Sequence, residues 1–164
     1  EFDVYDIPLS FEPCKDCTKC IQACPTQALT GGFQRSKCVS LLSQTKSKSY
    51  DLYKEVKQVF YGCDVCQEVC PHNQKLQHDI HPDFLFEADS YLDLDIVVSL
   101  SSDAFDMRFQ DKNFAWIGQE KIIRNLLVLL HNHNKDISPY LIRLKEENTA
   151  PFIKEHIQHW EESK

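Results

Sequence analysis

The sequence lacks the features that mark several large classes of protein. Only four of its 164 residues are glycine and seven are proline, which argues against a disordered or fibrous chain. No apolar run approaches the ~20 residues that span a bilayer, and no stretch resembles a signal peptide. We therefore expect a cytoplasmic protein without a membrane partner, built as one domain or two small ones. The chain starts with Glu1 rather than Met, so we also expect a piece of a longer protein.

An excess of positive charge is absent as well. The chain has 18 Lys and Arg residues against 25 Asp and Glu, a formal net charge of −7. This balance provides no general attraction to nucleic acid, so an RNA partner would need a local surface. The segment 43–49 favours a solvated loop, with a phosphate contact as the alternative. The candidates for such a surface are Lys46, Lys48, Lys112, Lys121 and Arg124.

Cysteine, in contrast, is abundant and occurs in two runs that end alike. Residues 14–25 have the spacing C-x2-C-x2-C-x3-C-P, and residues 62–71 end in the same C-x3-C-P. This spacing is typical of a chain that wraps around a 4Fe-4S cluster. The second run has one cysteine fewer, which Cys38, alone between the runs, can supply. The eight cysteines then form two sets of four.

Two other uses of eight cysteines are open. Disulfides suit secreted chains, whereas this chain shows no secretion signal. Zinc usually takes its ligands from two separated C-x2-C pairs, not from a tight triplet followed by C-P. The spacing favours two iron–sulfur clusters over both alternatives, and His72, next to the second run, is not needed as a ligand.

The ligands of the two clusters are expected to cross between the runs. In chains with paired runs, the fourth cysteine of a run ligates the other cluster. The predicted ligands are Cys14, Cys17, Cys20 and Cys70 for cluster 1, and Cys24, Cys38, Cys63 and Cys66 for cluster 2.

The remainder of the chain predicts helices. Apolar and polar residues alternate within residues 1–13, as in an extended segment or short strand. Within residues 50–60, in contrast, apolar residues recur at helical spacing. Ser102 is a candidate cap for a helix that carries Phe105 and Phe109 on one face. From residue 115 onward the pattern predicts an apolar helix of about fourteen residues and two shorter helices, the last capped by Thr149.

The fold class we expect is mainly α. A two-cluster ferredoxin-like module should occupy residues 1–80, and a helical region with about one HEAT-like repeat should occupy residues 81–164. Arg124-Asn125, at the start of the long helix, has two equally weighted interpretations: a polar link to the cluster module or an RNA contact.

Taken in order along the chain, these motifs resemble epoxyqueuosine reductase. The first run continues as C-P-T-x-A-L, a lone cysteine follows, and the second run reads Y-G-C-D-x-C-Q-x-V-C-P-x-N. After them come S-x-x-x-F-x-x-x-F and an R-N-L helix that precedes the HEAT-like helices. The likeness covers residues 10–160 and corresponds to the C-terminal half of that family, with residues 61–73 as its most specific part.

The resemblance implies an oxidoreductase of queuosine biosynthesis that reduces epoxyqueuosine to queuosine in tRNA. It implies electron transfer through two 4Fe-4S clusters to cobalamin, bound mainly by an N-terminal domain upstream of this chain. It also implies that the HEAT-like helices help to hold the tRNA anticodon stem-loop. The catalytic acid of the family lies in the upstream part, so no catalytic residue is assigned here and the fragment alone is expected to be inactive. We expect a monomer, and the electron donor is unknown.

Two other functions compete with this one. Corrinoid-dependent reductive dehalogenases have similar paired runs but lack a helical repeat after the second run. A non-enzymatic two-cluster ferredoxin would not need the ~90 residues that follow Pro71. The helical region therefore favours the tRNA enzyme over both alternatives.

Overall fold

The computed structural model describes residues 14, 16–74, 92–146 and 149–162. Within these ranges the regular secondary structure consists of nine α-helices and two 3-10 turns, with no strand. The expected fold class, mainly α, is therefore confirmed. The extended segment predicted at residues 1–13 lies outside the described residues. None of the described helices has both the length and the hydrophobicity of a membrane span.

The cysteine-containing part of the chain folds into four short helices. They are α1 (Lys19–Ala23), α2 (Val39–Gln44), α3 (Tyr50–Tyr53) and α4 (Val65–Glu68), with a 3-10 turn at Arg35–Lys37 between α1 and α2. Helices α1 and α4 lie within the two cysteine runs and pack against each other. This packing brings the two runs side by side, although their first cysteines are 49 positions apart, at residues 14 and 63.

The helix predicted within residues 50–60 is shorter than expected. Helix α3 ends at Tyr53, and the chain continues as turns and irregular backbone. The carbonyl groups of Tyr53 and Val56 accept hydrogen bonds from the Asn132 side chain, at 2.7 Å each, instead of extending a helix. The apolar residues of this segment, such as Val56, are still buried in the core. Their helical spacing therefore reflects burial rather than a continuous helix.

The second part of the chain forms five longer helices. They are α5 (Leu94–Ser99), α6 (Ser102–Phe109), α7 (Gln119–Asn132), α8 (Ser138–Glu146) and α9 (Pro151–Glu162), with a 3-10 turn at Ala115–Ile117. Helix α7 has the predicted fourteen residues. Phe105 and Phe109 share a buried face of α6, with ring centroids 5.0 Å apart.

Two predicted helix caps are placed differently in the structure. The cap of α6 is Ser101 rather than Ser102, because Ser101 keeps an extended backbone and its hydroxyl accepts from the Ala104 N–H at 3.2 Å. Helix α9 begins at Pro151, two positions after Thr149. Proline suits the first helical position because the N–H that it lacks would have no partner within the helix.

One hydrophobic core runs through both parts of the chain. Val39 and Leu42 of α2 belong to the same buried cluster as Ile122 and Leu127 of α7 and Ile157 of α9. Ile122 and Leu127 are fully buried, and burial of such side chains contributes about 1.5–3 kcal/mol each. The division into regions 1–80 and 81–164 stays a prediction. The shared core packs α2 of the first region against α7 of the second.

Candidate metal centre

The first predicted ligand set meets at one cavity. Cys14, Cys17, Cys20 and Cys70 all line a space of about 460 Å³, where α1 packs against α4. Cys70 thus borders the same space as three cysteines of the first run, as the crossed arrangement requires. Cys66 also borders it. The assignment of Cys66 to the second set therefore stays a prediction.

Cys63, a member of the second predicted set, is influenced electrostatically by the other three members. Burial raises the pKa of the Cys63 thiol, and its neighbours Cys38, Cys66 and Cys24 raise that pKa further. A hydrogen bond with the Val65 backbone acts in the opposite direction. The three cysteines that influence Cys63 are the other three members of the set predicted for cluster 2. The assignment of these four cysteines to one cluster stays a prediction.

Polar groups of the loops point at the sulfur atoms. The Ala28 N–H donates to Cys24 Sγ at 3.2 Å, and Thr26 Oγ1 lies 3.8 Å from the same sulfur. The Gln67 side-chain amide donates to Cys66 Sγ at 4.0 Å. Hydrogen bonds to the sulfur ligands are one of the factors that set the potential of a bound 4Fe-4S cluster. A thiolate is the form of cysteine that binds iron.

The two sets differ in their surroundings. Cys14 and Cys17 are exposed, whereas the other six cysteines are half-buried. Beside Cys63 lies a cavity of about 170 Å³ with a largely apolar wall that includes Val39, Val56 and Val59. The cysteines of the second set are therefore less exposed to solvent than Cys14 and Cys17 of the first set. Solvent exposure is one of the factors that set cluster potentials.

The described residues show neither a disulfide nor a preformed site for a single metal ion. All eight cysteines lie in the described part of the chain, and none is in a disulfide. Among the described residues, no three Cys, His, Asp or Glu side chains are close enough to share one ion. A tetrahedral zinc site with bonds of ~2.3 Å would need sulfur atoms about 3.8 Å apart. Four thiolates around a four-iron cube stand farther apart, because each binds a different iron.

His72 borders the same cavity as the first set. The cysteines supply enough ligands for two clusters without it. Its exclusion as a ligand therefore stays a prediction.

Arg124 and Asn125 are buried, with exposures of 0% and 4%. Their side chains bond to backbone carbonyl groups of the cysteine-containing part, including Leu42 O and Phe60 O. The first interpretation, a polar link to that part, is therefore confirmed. The interpretation of Arg124 as an RNA contact is wrong, because the core covers its guanidinium group.

Sequence reasoning missed two members of this link. Asn132 of α7 donates to the irregular segment after α3, and Ser43, inside the cysteine-containing part, accepts from the Gly62 N–H. The sequence signal for the burial of Ser43 and Asn132 is limited to the apolar residues beside them. Nothing in the local sequence indicates their partners.

The lysines proposed as RNA contacts all have partners within the chain. Lys46 lies 3.9 Å from Glu120, and Lys48 forms a 3.0 Å ion pair with Glu155. Lys112 lies 3.4 Å from Asp111, and Lys121 donates to the Ile117 carbonyl. Such exposed pairs are weak, of the order of 0–1 kcal/mol, and can be exchanged for phosphate contacts. An RNA contact by any of these lysines therefore stays a prediction.

Comparisons with known proteins agree with this geometry. A family model described as a 4Fe-4S double cluster binding domain matches residues 13–73. The chain is 35% identical over 145 residues to epoxyqueuosine reductase of Lactococcus garvieae, covering 85% of this chain and 41% of that protein. It is 36% identical to epoxyqueuosine reductase of Listeria monocytogenes, covering 91% and 40%. A Geobacillus stearothermophilus protein from the gldA 3′ region is 33% identical, covering 91% and 71%.

Solved structures match over the same extent. A selenomethionine-labelled epoxyqueuosine reductase superposes with a TM-score of 0.81 at 30% identity, covering 93% of this chain and 42% of that one. An epoxyqueuosine reductase with an epoxyqueuosine-modified tRNA-Tyr stem loop superposes with a TM-score of 0.80, also at 30% identity and with the same coverage. The chain therefore spans about two fifths of the length of the epoxyqueuosine reductases that it matches.

Proposed function

The chain belongs to the epoxyqueuosine reductase family, and from this membership we propose that it is the two-cluster and helical part of an enzyme that reduces epoxyqueuosine to queuosine in tRNA. The observation that carries the proposal is the meeting of the two cysteine runs, with Cys70 at the same cavity as Cys14, Cys17 and Cys20. The likeness extends over 93% of the chain, including the helices after the second run. This extent favours the tRNA enzyme over a two-cluster ferredoxin or a reductive dehalogenase.

The role proposed for the cysteine-containing part is to bind two 4Fe-4S clusters. The eight ligands are those predicted from the sequence, in two crossed sets of four. When bound, the clusters supply one-electron transfer. The chain contributes the thiolates, the hydrogen bonds that stabilise their charge, such as that from Ala28 to Cys24, and the apolar wall beside Cys63. These groups influence both cluster retention and potential.

Two further parts of the proposal follow from the family. We place cobalamin and the catalytic acid outside residues 1–164, so that this chain alone does not turn over substrate. We also propose that the helical region contributes to binding of the tRNA anticodon stem-loop. The support for the second point is a structural relative that carries a tRNA stem loop. We expect a cytoplasmic, monomeric enzyme supplied by an electron donor of unknown identity.

Iron analysis tests the cluster assignment. The chain, purified without air, should contain about eight irons and an equal amount of acid-labile sulfide, because two four-iron clusters are bound. Ser36→Ala, in the exposed 3-10 turn, is a control that should keep this content. Zinc in place of iron, or a colourless chain after reconstitution with iron and sulfide, would overturn the proposal.

A turnover assay tests the enzymatic assignment. The full-length protein that contains this chain, supplied with cobalamin and a reductant, should convert epoxyqueuosine in tRNA to queuosine. The chain by itself should not. If the full-length protein binds both clusters but leaves epoxyqueuosine unchanged, the enzymatic assignment is wrong.

A further inference from the structure

Two cysteines of the second set reach the site on separate arms of the chain. Cys38 directly precedes α2, and its carbonyl accepts from Leu42 N at 2.9 Å within the first turn of that helix. Cys63 comes from the other direction, after Phe60, Tyr61 and Gly62. Because the two arms join through residues 45–60, which contain only the one-turn helix α3 as regular structure, their relative position depends on contacts from elsewhere.

Asn125 of α7 supplies such a contact to both arms. Its side-chain amide donates to Ser43 O, near the end of α2, at 2.8 Å and to Phe60 O, three residues before Cys63, at 2.7 Å. Asn125 is 4% exposed, so water competes little for these carbonyl groups. One amide group thus ties the Cys38 arm to the Cys63 arm.

Ser43 makes a second connection between the same arms. Its hydroxyl accepts from the Gly62 N–H at 3.1 Å and donates to Ser40 O at 2.8 Å. Gly62 adopts φ = 69°, a left-handed conformation that turns the chain into Cys63. Ser43 therefore holds Gly62, the residue next to Cys63, against helix α2, which begins directly after Cys38.

Arg124 holds the amide of Asn125 in place. Its Nε donates to Asn125 Oδ1 at 2.7 Å, which leaves the Asn125 NH₂ group to donate to the two arms. Its Nη2 donates to Leu42 O and to Thr45 O, both at 3.0 Å. The end of α2 is therefore held by two adjacent side chains of α7.

We propose that Asn125 and Ser43 are positioning residues for the second ligand set, and that they fix the spacing between Cys38 and Cys63. Through Asn125 the helical region determines how firmly this set retains iron. This inference rests on the proposed function, since it requires that the set binds a cluster. Groups behind metal ligands commonly affect metal affinity or activity by about ten- to hundred-fold.

Asn132 offers a matched control on the same helix. It lies seven residues after Asn125, and its amide also donates to two backbone carbonyl groups, Tyr53 O and Val56 O, at 2.7 Å each. Its partners, however, lie seven or more residues before Cys63 in the sequence, whereas Phe60 lies three residues before it. Removal of its side chain should weaken the fold without specific displacement of the second set.

The experiment compares Asn125→Ala, Ser43→Ala and Asn132→Ala in the iron-loaded chain. Each protein is exposed to an iron chelator and a thiol-alkylating reagent, and mass spectrometry follows each cysteine. Asn125→Ala and Ser43→Ala should accelerate alkylation of the second set about ten-fold and leave the first set within about two-fold of wild type. Asn132→Ala should show no preference between the sets. After reduction of the protein, the electron paramagnetic resonance signal of cluster 2 should also change shape in the first two variants alone.

The alternative is a purely stabilising role. Uniform acceleration of all eight thiols in all three variants, or no acceleration in any of them, would overturn the inference. Ser43→Ala removes only a hydroxyl group, so it remains informative if Asn125→Ala fails to fold. A wild-type chain that binds no iron would overturn the proposed function and this inference with it, whereas iron-loaded protein with uniform release overturns the inference alone.

Discussion

The guanidinium carbon of Arg124 lies 4.7 Å from the ring centroid of Tyr53, inside the core that joins the two parts of the chain. The Tyr53 hydroxyl and Arg124 Nη2 both donate to the carbonyl of Leu42, at 2.8 and 3.0 Å. Burial lowers the pKa of Arg124 and raises that of Tyr53. The buried Arg124 cation is stabilised by the carbonyl groups of Leu42 and Thr45 and by the Tyr53 ring. Loss of these partners, or a second buried positive charge nearby, should therefore destabilise the fold.

Replacement of Arg124 should destabilise the fold strongly. Arg124→Ala removes hydrogen bonds from a charged donor to two buried carbonyl groups, and we expect a loss of about 3 kcal/mol or more in the free energy of unfolding. Chemical denaturation followed by far-ultraviolet circular dichroism measures it. The control is Arg143→Ala, an exposed arginine that donates to Val98 O at 3.2 Å, which should cost about 1 kcal/mol or less. Equal losses in the two variants would contradict this account.

Stability should fall as the pH drops below about 6.5 because of His156. Burial, with a contribution from Arg124, lowers the pKa of this 2% exposed histidine to about 4. In the unfolded chain its pKa is about 6.5. Between these values the unfolded state binds more protons, so stability is complete above pH ~6.5 and is lost progressively down to pH ~4, by up to about 3 kcal/mol.

Comparison of variants isolates this effect. The stability difference between His156→Gln and wild type should change across that pH range, while thiolate contributions cancel because both proteins carry the same cysteines. His159 and Glu155, which also influence His156, are present in both proteins. The control Ser36→Ala changes no titratable group and should show a nearly constant difference. A constant difference for His156→Gln would exclude it as the titrating group.

Cysteine substitutions should separate the two clusters. Cys38→Ala should damage cluster 2, and Cys70→Ala should damage cluster 1, with up to about four irons left in each variant. Iron analysis and the low-temperature resonance spectrum of the reduced protein measure which cluster remains. If Cys70→Ala and Cys66→Ala lose the same signal, Cys70 belongs with its own run and the crossed arrangement is wrong.

Binding of tRNA by this chain should be weak and sensitive to salt. The net charge of −7 opposes it, so affinity depends on local lysines such as Lys46 and Lys121. Loss of one lysine that contacts a phosphate should reduce the slope of log affinity against log salt by about 0.7–0.9. Lys54→Gln, which removes a lysine paired with Asp51 at 2.8 Å, serves as the control. Tight binding that is unchanged between low and high salt would contradict the prediction.

Local patterns in the sequence were sufficient for much of this protein. The spacing of the cysteine runs predicted their chemistry, because a chain that wraps a cluster must place thiolates at short, regular intervals. The apolar stripe predicted α7 with its correct length, since helical periodicity is a property of neighbouring residues. Segment 50–60 shows the limit of that reasoning. There the same periodicity marked burial, but contacts with Asn132 ended the helix at Tyr53.

Only the tertiary structure decided the roles of Arg124, Asn125 and Ser43. The sequence allowed Arg124-Asn125 to face either RNA or the cluster module, because a basic and an amide side chain suit both. The partners of Arg124 and Asn125 lie 65–82 residues away in the chain, at Phe60 O, Ser43 O and Leu42 O. Hydrogen bonds of this separation form only after the core has packed α2 against α7, so no local pattern encodes them. The sequence by itself therefore predicted the cysteine ligands, and only the packing showed which side chains bond to the backbone beside them.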